Sequence, residues 1–493
     1  MAGPAEELTA GGRAAVPRAS LAIAAGAAGL LLAVAQRYGW HRDELYFLEA
    51  GHHLAWGYVD QPPFTPFVAR LAHELAPGNL VVLRALPAVA TSLTVVLGGL
   101  FVRELGGGRR VQVAGAAVMA GGGFVLGVGH LLSTAVFDLT ASMAVLWLVA
   151  RVLRTGEARW WLAVGGVVGV SMLNKNLVVL LVLALAVGLV AERRWDVLVS
   201  PWTVAGAGLA LAIAAPNLLW QADHGWPQAD MAEVLSERLA GENRLTLVPL
   251  QILFLGPALV PLLWWGTRWL ARSDAGRPYR AVLWAWPAVL VLTFGSGGRP
   301  YYALPLTLAV GLAGVMGFAE RRDPAWIARL VVPNLLVSLP LALPVLPLSS
   351  TKVSATVNEA VAETVGWPEL VEQVADVVDG LPAAERERVV LLTGSYGEAG
   401  AIDRFGPALG LPPAHSGHNG YGWFRQPRDD GATVVGVRLS ASRLGRHFDE
   451  CDQVATIDNG FDVENEVQGQ PIVVCRGLRG TWDEVWPQLR FLS

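Results

Sequence analysis

Asp43-Glu44-Leu45-Tyr46, followed by Gly57-Tyr58-Val59-Asp60-Gln61-Pro62-Pro63, stands just beyond the first apolar run of this chain. Charge at the edge of a membrane is costly to keep unless it does something. Acidic and aromatic residues gathered behind an apolar run point to a reactive loop at a membrane surface, fed from the bilayer. The Pro62-Pro63 pair makes a rigid turn after Asp60, so capping that turn and binding a ligand are both open to this carboxylate.

The surrounding composition supports a membrane setting. Of 493 residues, 53% are hydrophobic and 16% charged, against about a quarter charged in soluble domains. Long apolar runs recur up to about residue 348, whereas 350–493 reads as ordinary soluble protein. The expected architecture is a polytopic α-helical membrane domain over 1–349 and a small α/β soluble domain over 350–493. Near-spanning runs fall at about 19–36, 80–102, 111–129, 135–150, 160–173, 176–191, 201–219, 246–267, 281–295, 303–318 and 327–347. A tilted helix needs about 20 residues, so about eleven spans are expected, the shorter ones borrowing flanking polar residues. The region 160–191 reads as a hairpin or as one long span broken at Asn174-Lys175-Asn176. Ala33-Val34-Ala35 looks like a signal-peptidase site, but the many spans that follow favour an uncleaved first span.

Orientation follows from the arginines. With the N-terminus inside, the inside loops carry Arg13, Arg18, Arg103, Arg109, Arg110, Arg151, Arg154, Arg193, Arg194, Arg268, Arg272, Arg321 and Arg322, among others. The outside loops hold fewer, namely Arg37, Arg42, Arg70, Arg84, Lys175, Arg238, Arg244 and Arg299. This places both the Asp43–Pro63 loop and the C-terminal domain outside the cell membrane. The chemically capable residues gather in the same outside loops. These are Asp43, Glu44, His52, His53 and Asp60; then His130, Ser133, Thr134 and Asp138; then Asn174-Lys175-Asn176. A longer loop runs from Asn217 to about Arg244, and Gly297–Tyr302 closes the set. A net charge of −4 with no basic tract gives no support to a nucleic-acid partner.

In the tail, Arg388–Thr393 reads as a buried strand and Glu398–Phe405 as a helix. Further strands are expected at Thr433–Leu439, Gln453–Ile457 and Pro471–Cys475. Gly394-Ser395-Tyr396-Gly397-Glu398-Ala399-Gly400 is glycine-rich after a strand, yet lacks the Gly-Lys-Ser/Thr ending of a phosphate loop. Pro413–Trp423, with His418 and Asn419, reads either as a sugar-touching loop or as an ordinary surface turn. The two cysteines, Cys451 and Cys475, either pair in an oxidising compartment or stay as buried thiols.

These motifs resemble bacterial members of glycosyltransferase family 39, relatives of the protein O-mannosyltransferases and the lipid A aminoarabinose transferases. The resemblance rests on Asp43–Tyr46 with Gly57–Pro63, on Arg299-Pro300-Tyr301-Tyr302-Ala303-Leu304-Pro305, on Gly394–Asp403, and on Ser416-Gly417-His418-Asn419. It implies a GT-C fold, a helical bundle with a non-cytoplasmic active site. It further implies a polyprenyl-phosphate sugar donor, inversion at the anomeric carbon and a catalytic carboxylate from the first outside loop. By motif position Asp43 matches that residue and Glu44 its acidic neighbour. The acceptor is then a protein, glycan or lipid hydroxyl, and the sugar is mannose-like.

The chemistry assigns roles. Asp43 is expected to act as general base; Glu44 holds it or bonds to the sugar. The departing phosphate needs cations, for which Lys175 and Arg299 stand at helix ends. Asp60, Asp138, Tyr301, Tyr302, His418 and Asn419 complete the expected substrate contacts. Structural pairing of Asp43 with Arg42 or Arg37, and interfacial snorkelling of Lys175 and Arg299, are the bland alternatives. No cofactor is expected. His52-His53 without a third ligand is a weak metal signal, although a divalent ion is compatible with the chemistry. Two rival readings remain. One is a GT-C arabinosyl- or glucosyltransferase acting on cell-wall glycan or lipid. The other is a lipid-linked sugar transporter, which calls for internal repeats and charges near the membrane midplane.

Overall fold

The computed structural model describes residues 15–350, 355 and 358–493. Arg13, used above to argue orientation, lies outside the described residues. Five helices are long and apolar enough to cross a membrane: Leu80–Glu104, Thr134–Thr155, Pro201–Asp223, Pro300–Ala319 and Pro324–Ala342. Two bent pairs raise this to as many as seven, and Arg18–Ala33, Trp160–Met172 and Val178–Ala191 are shorter apolar helices. The chain is therefore a multi-pass membrane protein.

Two of the expected spans are broken rather than straight. Arg109–Gly121 turns by 63° into Gly123–Gly129, and Pro227–Leu255 turns by 84° into Pro257–Arg272. The second break sits at Gly256, whose φ of 107° only glycine adopts easily. Elsewhere small residues let helices meet backbone to backbone. A Cβ on Gly165 would lie 2.0 Å from the Gly206 carbonyl oxygen, the close approach on which helix packing within membranes relies.

Between the first two apolar helices the expected loop is instead a pair of helices, Arg42–His52 and Phe64–Leu75. The first begins with a capping box: Asp43 N donates to the His41 ring and His41 N donates to Glu44. Much of the expected loop from Asn217 to Arg244 is likewise helical, since Pro201–Asp223 and Pro227–Leu255 leave only a short turn between them.

The sheet lies in the C-terminal part. Strands β1 (Val390–Thr393), β2 (Ala414–Ser416), β3 (Val434–Val437), β4 (Phe448–Thr456) and β5 (Pro471–Leu478) are ordered β2-β1-β3-β5-β4. β1 runs parallel to β2 and β3, while β5 is antiparallel to β3 and β4. The stretch that reads as a loop at Pro413–Trp423 thus begins as a strand. Cys451 and Cys475 face each other across the β4–β5 register and form a disulfide.

One apolar core crosses the sequence boundary at 349/350. Leu45, Tyr46, Phe47, Val68 and Ala69 pack into the same cluster as Leu370, Val374, Leu391, Ile402 and Val435. The glycine-rich stretch explains how. The Tyr396–Phe405 helix starts with a Ser395–Glu398 capping box and lays its glycines on the Arg42–His52 helix. A Cβ on Gly400 would stand 2.8 Å from Leu45 Cβ, and one on Gly397 3.1 Å from Arg42 Cβ. These glycines serve helix packing, and the C-terminal domain is docked on the element that carries Asp43.

Candidate active site

Two cavities meet at Asp43. One, of about 440 Å³, runs between membrane-level helices and is walled by apolar side chains such as Phe124, Leu253, Phe254 and Val337. The other, of about 970 Å³, lies between the bundle and the C-terminal domain and is lined by Asp60, Tyr302, Tyr396, His418 and Arg438 among others. Arg42, Asp43, Thr134, Lys175, Arg299, Tyr301 and Glu359 line both. The expected outside loops therefore converge on one end of the bundle.

Asp43 occupies the first turn of its helix with a third of its side chain open. Tyr396 Oη donates to Asp43 Oδ1 at 2.9 Å, while His41 Nδ1 lies 3.9 Å and Arg42 Nε 3.7 Å from the carboxylate. Burial alone would raise this carboxyl. Interactions with His41, Arg42, the Tyr396 hydroxyl and Arg299 outweigh it and hold the pKa below the ordinary aspartate value. Arg42 is not committed to Asp43, since its guanidinium pairs with Glu466.

Asp60 is arranged in parallel. Tyr46 Oη donates to Asp60 Oδ1 at 2.8 Å, and the Tyr46 and Tyr396 rings stack with centroids 4.6 Å apart. Burial raises the Asp60 pKa to about 6, the Tyr46 hydrogen bond opposing and the Asp43 charge adding to the shift. Two carboxylates at one cavity are thus pushed apart, the pattern that separates roles in acid–base sites.

Glu44 departs from its expected place. It is fully buried and does not line either cavity. Arg84 reaches it bidentately, Nε to Oε1 at 2.9 Å and Nη2 to Oε2 at 2.7 Å. Leu132 N and His41 N complete its shell at 3.0 and 2.9 Å. Both oxygens are spent, which removes Glu44 from contact with substrate and leaves it the holding role. Arg84, counted above with the outside loops, is 1% exposed within the Leu80–Glu104 helix and also donates to Ala35 O and Gly39 O. A membrane-level arginine is retained here because every donor direction finds an acceptor.

The cations sit opposite. Lys175 Nζ donates to Tyr301 Oη at 2.6 Å and lies 5.1 and 5.6 Å from the Tyr301 and Tyr302 ring centres. Arg299 is exposed to both cavities and has no carboxylate partner among the described residues. Asp138 is buried in the Thr134–Thr155 helix, and its Oδ1 has no hydrogen-bond partner. It lines neither cavity. His418 and Asn419 do line the polar cavity, but their side chains bond to Ser493. His52 and His53 turn instead to Glu49, at 3.3 and 3.2 Å.

Glu359, Glu363 and Glu466 form the one group of three metal-capable side chains among the described residues. Arg42 and Arg438 already reach Glu466, the latter at 3.2 Å, so arginine supplies the countercharge there. Burial pushes the Glu363 pKa up to about 7, with Arg42 opposing.

The family model described as dolichyl-phosphate-mannose-protein mannosyltransferase matches residues 60–220. The crystal structure of ArnT from Cupriavidus metallidurans bound to undecaprenyl phosphate aligns with 92% of this chain and 97% of that chain, with a TM-score of 0.60 and 16% identity. The apo ArnT structure from the same organism aligns with 92% and 96%, with a TM-score of 0.55 and 15% identity. The chain shares the fold of these ArnT structures. No curated protein matches its sequence.

Tyr396, Arg438 and Glu466, which line the polar cavity, are not among the site residues expected from the sequence. Their only signal was the Ser395-x-x-Glu398 capping box, which places Tyr396 at the first turn of a helix following a buried strand.

Proposed function

We propose that this protein transfers a mannose-like sugar from a polyprenyl-phosphate donor to an acceptor hydroxyl, with inversion, on the extracytoplasmic face. One observation carries the reading: Asp43, Lys175 and Arg299 stand together where an apolar membrane-level cavity joins a polar one. The lipid tail takes the apolar arm, the acceptor the polar arm, and the sugar–phosphate bond lies at the junction. The undecaprenyl phosphate of the ArnT complex supports the donor class, and the mannosyltransferase family model supports the sugar. The positive-inside pattern supports the C-terminal domain and both cavities facing outward.

Asp43 is the general base. Its low pKa keeps it ionised, so it takes the proton once the hydroxyl grows acidic through its forming bond to the anomeric carbon. The phosphate leaves as an anion without a general acid, and one carboxylate suffices, unlike in hydrolases that protonate their leaving group. Arg299, with no carboxylate of its own, and Lys175, held by Tyr301, meet the departing charge. Glu44 and Arg84 act as positioning residues that fix the turn carrying Asp43. Asp60 and Tyr46 line the acceptor side.

The test is a transfer assay in nanodiscs with a radiolabelled polyprenyl-phosphate sugar. Arg299→Ala and Lys175→Ala should each raise the donor KM at least tenfold, roughly the loss of one charge-assisted contact, and leave the acceptor KM in place. An equal effect on both substrates would return these cations to a structural role. Release of the lipid phosphate without any transfer product would assign the chain to hydrolysis instead.

A further inference from the structure

A second basin, of about 910 Å³, lies on the C-terminal domain. A wall of a few residues separates it from the catalytic cavity: His418 and Asn419 line the cavity, while Gly422–Arg425 line the basin. The wall is pinned to the Asp43 helix, because Gly420 N donates to Tyr46 Oη at 3.2 Å and Arg425 reaches Glu49 at 2.7 Å.

The chemistry of the basin is one-sided. Its lining carries Arg388, Arg425, Arg428 and Arg490 against the carboxylates of Glu387 and Asp429. Arg388 is spent on Asp429 at 3.2 Å and Arg425 on Glu49 and Asp403. Arg428 and Arg490 have no carboxylate partner among the described residues. All the cations are arginines, whose planar forks suit carboxylate and phosphate groups. Trp423 is 49% exposed at the rim, with the Arg490 guanidinium 4.8 Å from its ring centre. An exposed indole offers an apolar face of the size of a sugar ring with a cation beside it.

Unmet hydrogen-bonding capacity is found here as well. His415 Nδ1, Arg425 Nε and Arg490 Nε are buried atoms without a hydrogen-bond partner, and all three residues line this basin. Buried polar groups left so are costly unless something satisfies them.

We propose that this basin binds an anionic saccharide, its acidic groups held by Arg428 and Arg490 and one ring stacked on Trp423. A chain seated there passes within one short helix of the catalytic cavity. Its role as the anchor of the acceptor, which makes the acceptor an acidic glycan, rests on the transfer activity proposed above; the binding itself does not.

The experiment uses the full chain in nanodiscs and titrates tetragalacturonate, with maltotetraose and tetraglutamate as neutral-sugar and acidic-peptide comparisons. Tetragalacturonate should bind saturably and at least about tenfold more tightly than either. Asp43→Asn should bind it unchanged. Arg428→Gln, at an exposed position, and Trp423→Leu should each weaken binding by about tenfold, the worth of one charge-assisted or stacking contact. Arg428→Gln combined with Arg490→Gln should lose it, with the unfolding temperature read alongside. Absence of saturable tetragalacturonate binding, equal affinity for tetraglutamate or maltotetraose, or indifference to Arg428→Gln and Trp423→Leu overturns the site. If binding behaves as expected but Arg428→Gln leaves the acceptor KM of transfer unmoved, the anchoring role falls and the binding site stands. A wild-type protein that binds but transfers nothing removes the activity reading alone.

Discussion

The two ends of the bundle each bury a glutamate among arginines, and they do so to different effect. At the end carrying the C-terminal domain, Glu44 and Arg84 are sealed at 0% and 1% side-chain exposure. At the other end Glu104 is equally buried, but its partners Arg103, Arg151 and Arg154 keep 24%, 21% and 36% of their side chains exposed. The first pair fixes a helix turn whose next-door carboxylate, Asp43, opens on two cavities. The Glu104 group lines none of the cavities described above. It joins Leu80–Glu104 to Thr134–Thr155, and its own carbonyl accepts from Tyr279. Burial of a charge is thus no sign of catalysis by itself. On the reading proposed above, the base is the half-open neighbour that the buried glutamate holds in place.

The sharpest break in that comparison is Asp43→Asn. It keeps the shape and a contact for Tyr396 but removes the proton acceptor. Transfer should fall by about 10²–10⁴, with the unfolding temperature unchanged; turnover near wild type would take the base role away from Asp43. Next comes the pair of buried glutamates. Glu44→Gln strands Arg84 without water and should cost about 3–5 kcal/mol. Glu104→Gln leaves arginines that can reach solvent and should cost only about 1–3 kcal/mol. Thermal unfolding in detergent reads both, and equal losses would erase the distinction between the two ends.

A smaller effect is expected from Tyr396→Phe. Losing the Tyr396 hydrogen bond, which favours the ionised form, raises the Asp43 pKa. The acid limb of the rate–pH profile should move upward while folding persists, and an unmoved limb would make Tyr396 a packing residue only. The smallest effect is on stability against pH. Asp60, raised to about 6 by burial, binds its proton more tightly folded than unfolded. Its raised pKa therefore favours the folded state at low pH, and that advantage is lost as pH climbs through about 6. Asp60→Asn should accordingly be more stable than wild type at pH 8, by about 1 kcal/mol once water in the cavity is allowed for, with the gain gone at pH 4. Asp43, shifted the other way, stays ionised in the folded state across that window, and its contribution is lost only as pH falls toward the ordinary aspartate range.

The same contrast explains what could be read in advance. Apolar runs and arginine spacing gave the bundle, because the bilayer enforces both span length and charge placement locally. The Asp43 motif was legible because acidic and aromatic residues crowd one short stretch. Glu44 stayed open between holding Asp43 and touching sugar because its meaning depends on Arg84, and an isolated arginine near a helix start looks like a topology marker. Tyr396 was out of reach for a similar reason, its partner Asp43 standing 353 positions away. β2 was missed because a three-residue strand behind Pro412-Pro413 leaves no alternation to detect. Lys175 and Arg299 were found as cations at helix ends, but their meeting at one cavity junction is a property of the folded bundle.

The hydrogen bond between the first polar turn and the last domain also sets an order of events in biosynthesis. Asp43 is translated 353 positions ahead of its hydroxyl partner, which follows the whole helical bundle. Until residue 396 has emerged and the glycine face of its helix has settled, the carboxylate faces an unfinished pocket. On the proposed reading, maturation of the site is tied to translation through residue 396, and a chain stalled within the bundle carries the aspartate without its hydroxyl partner.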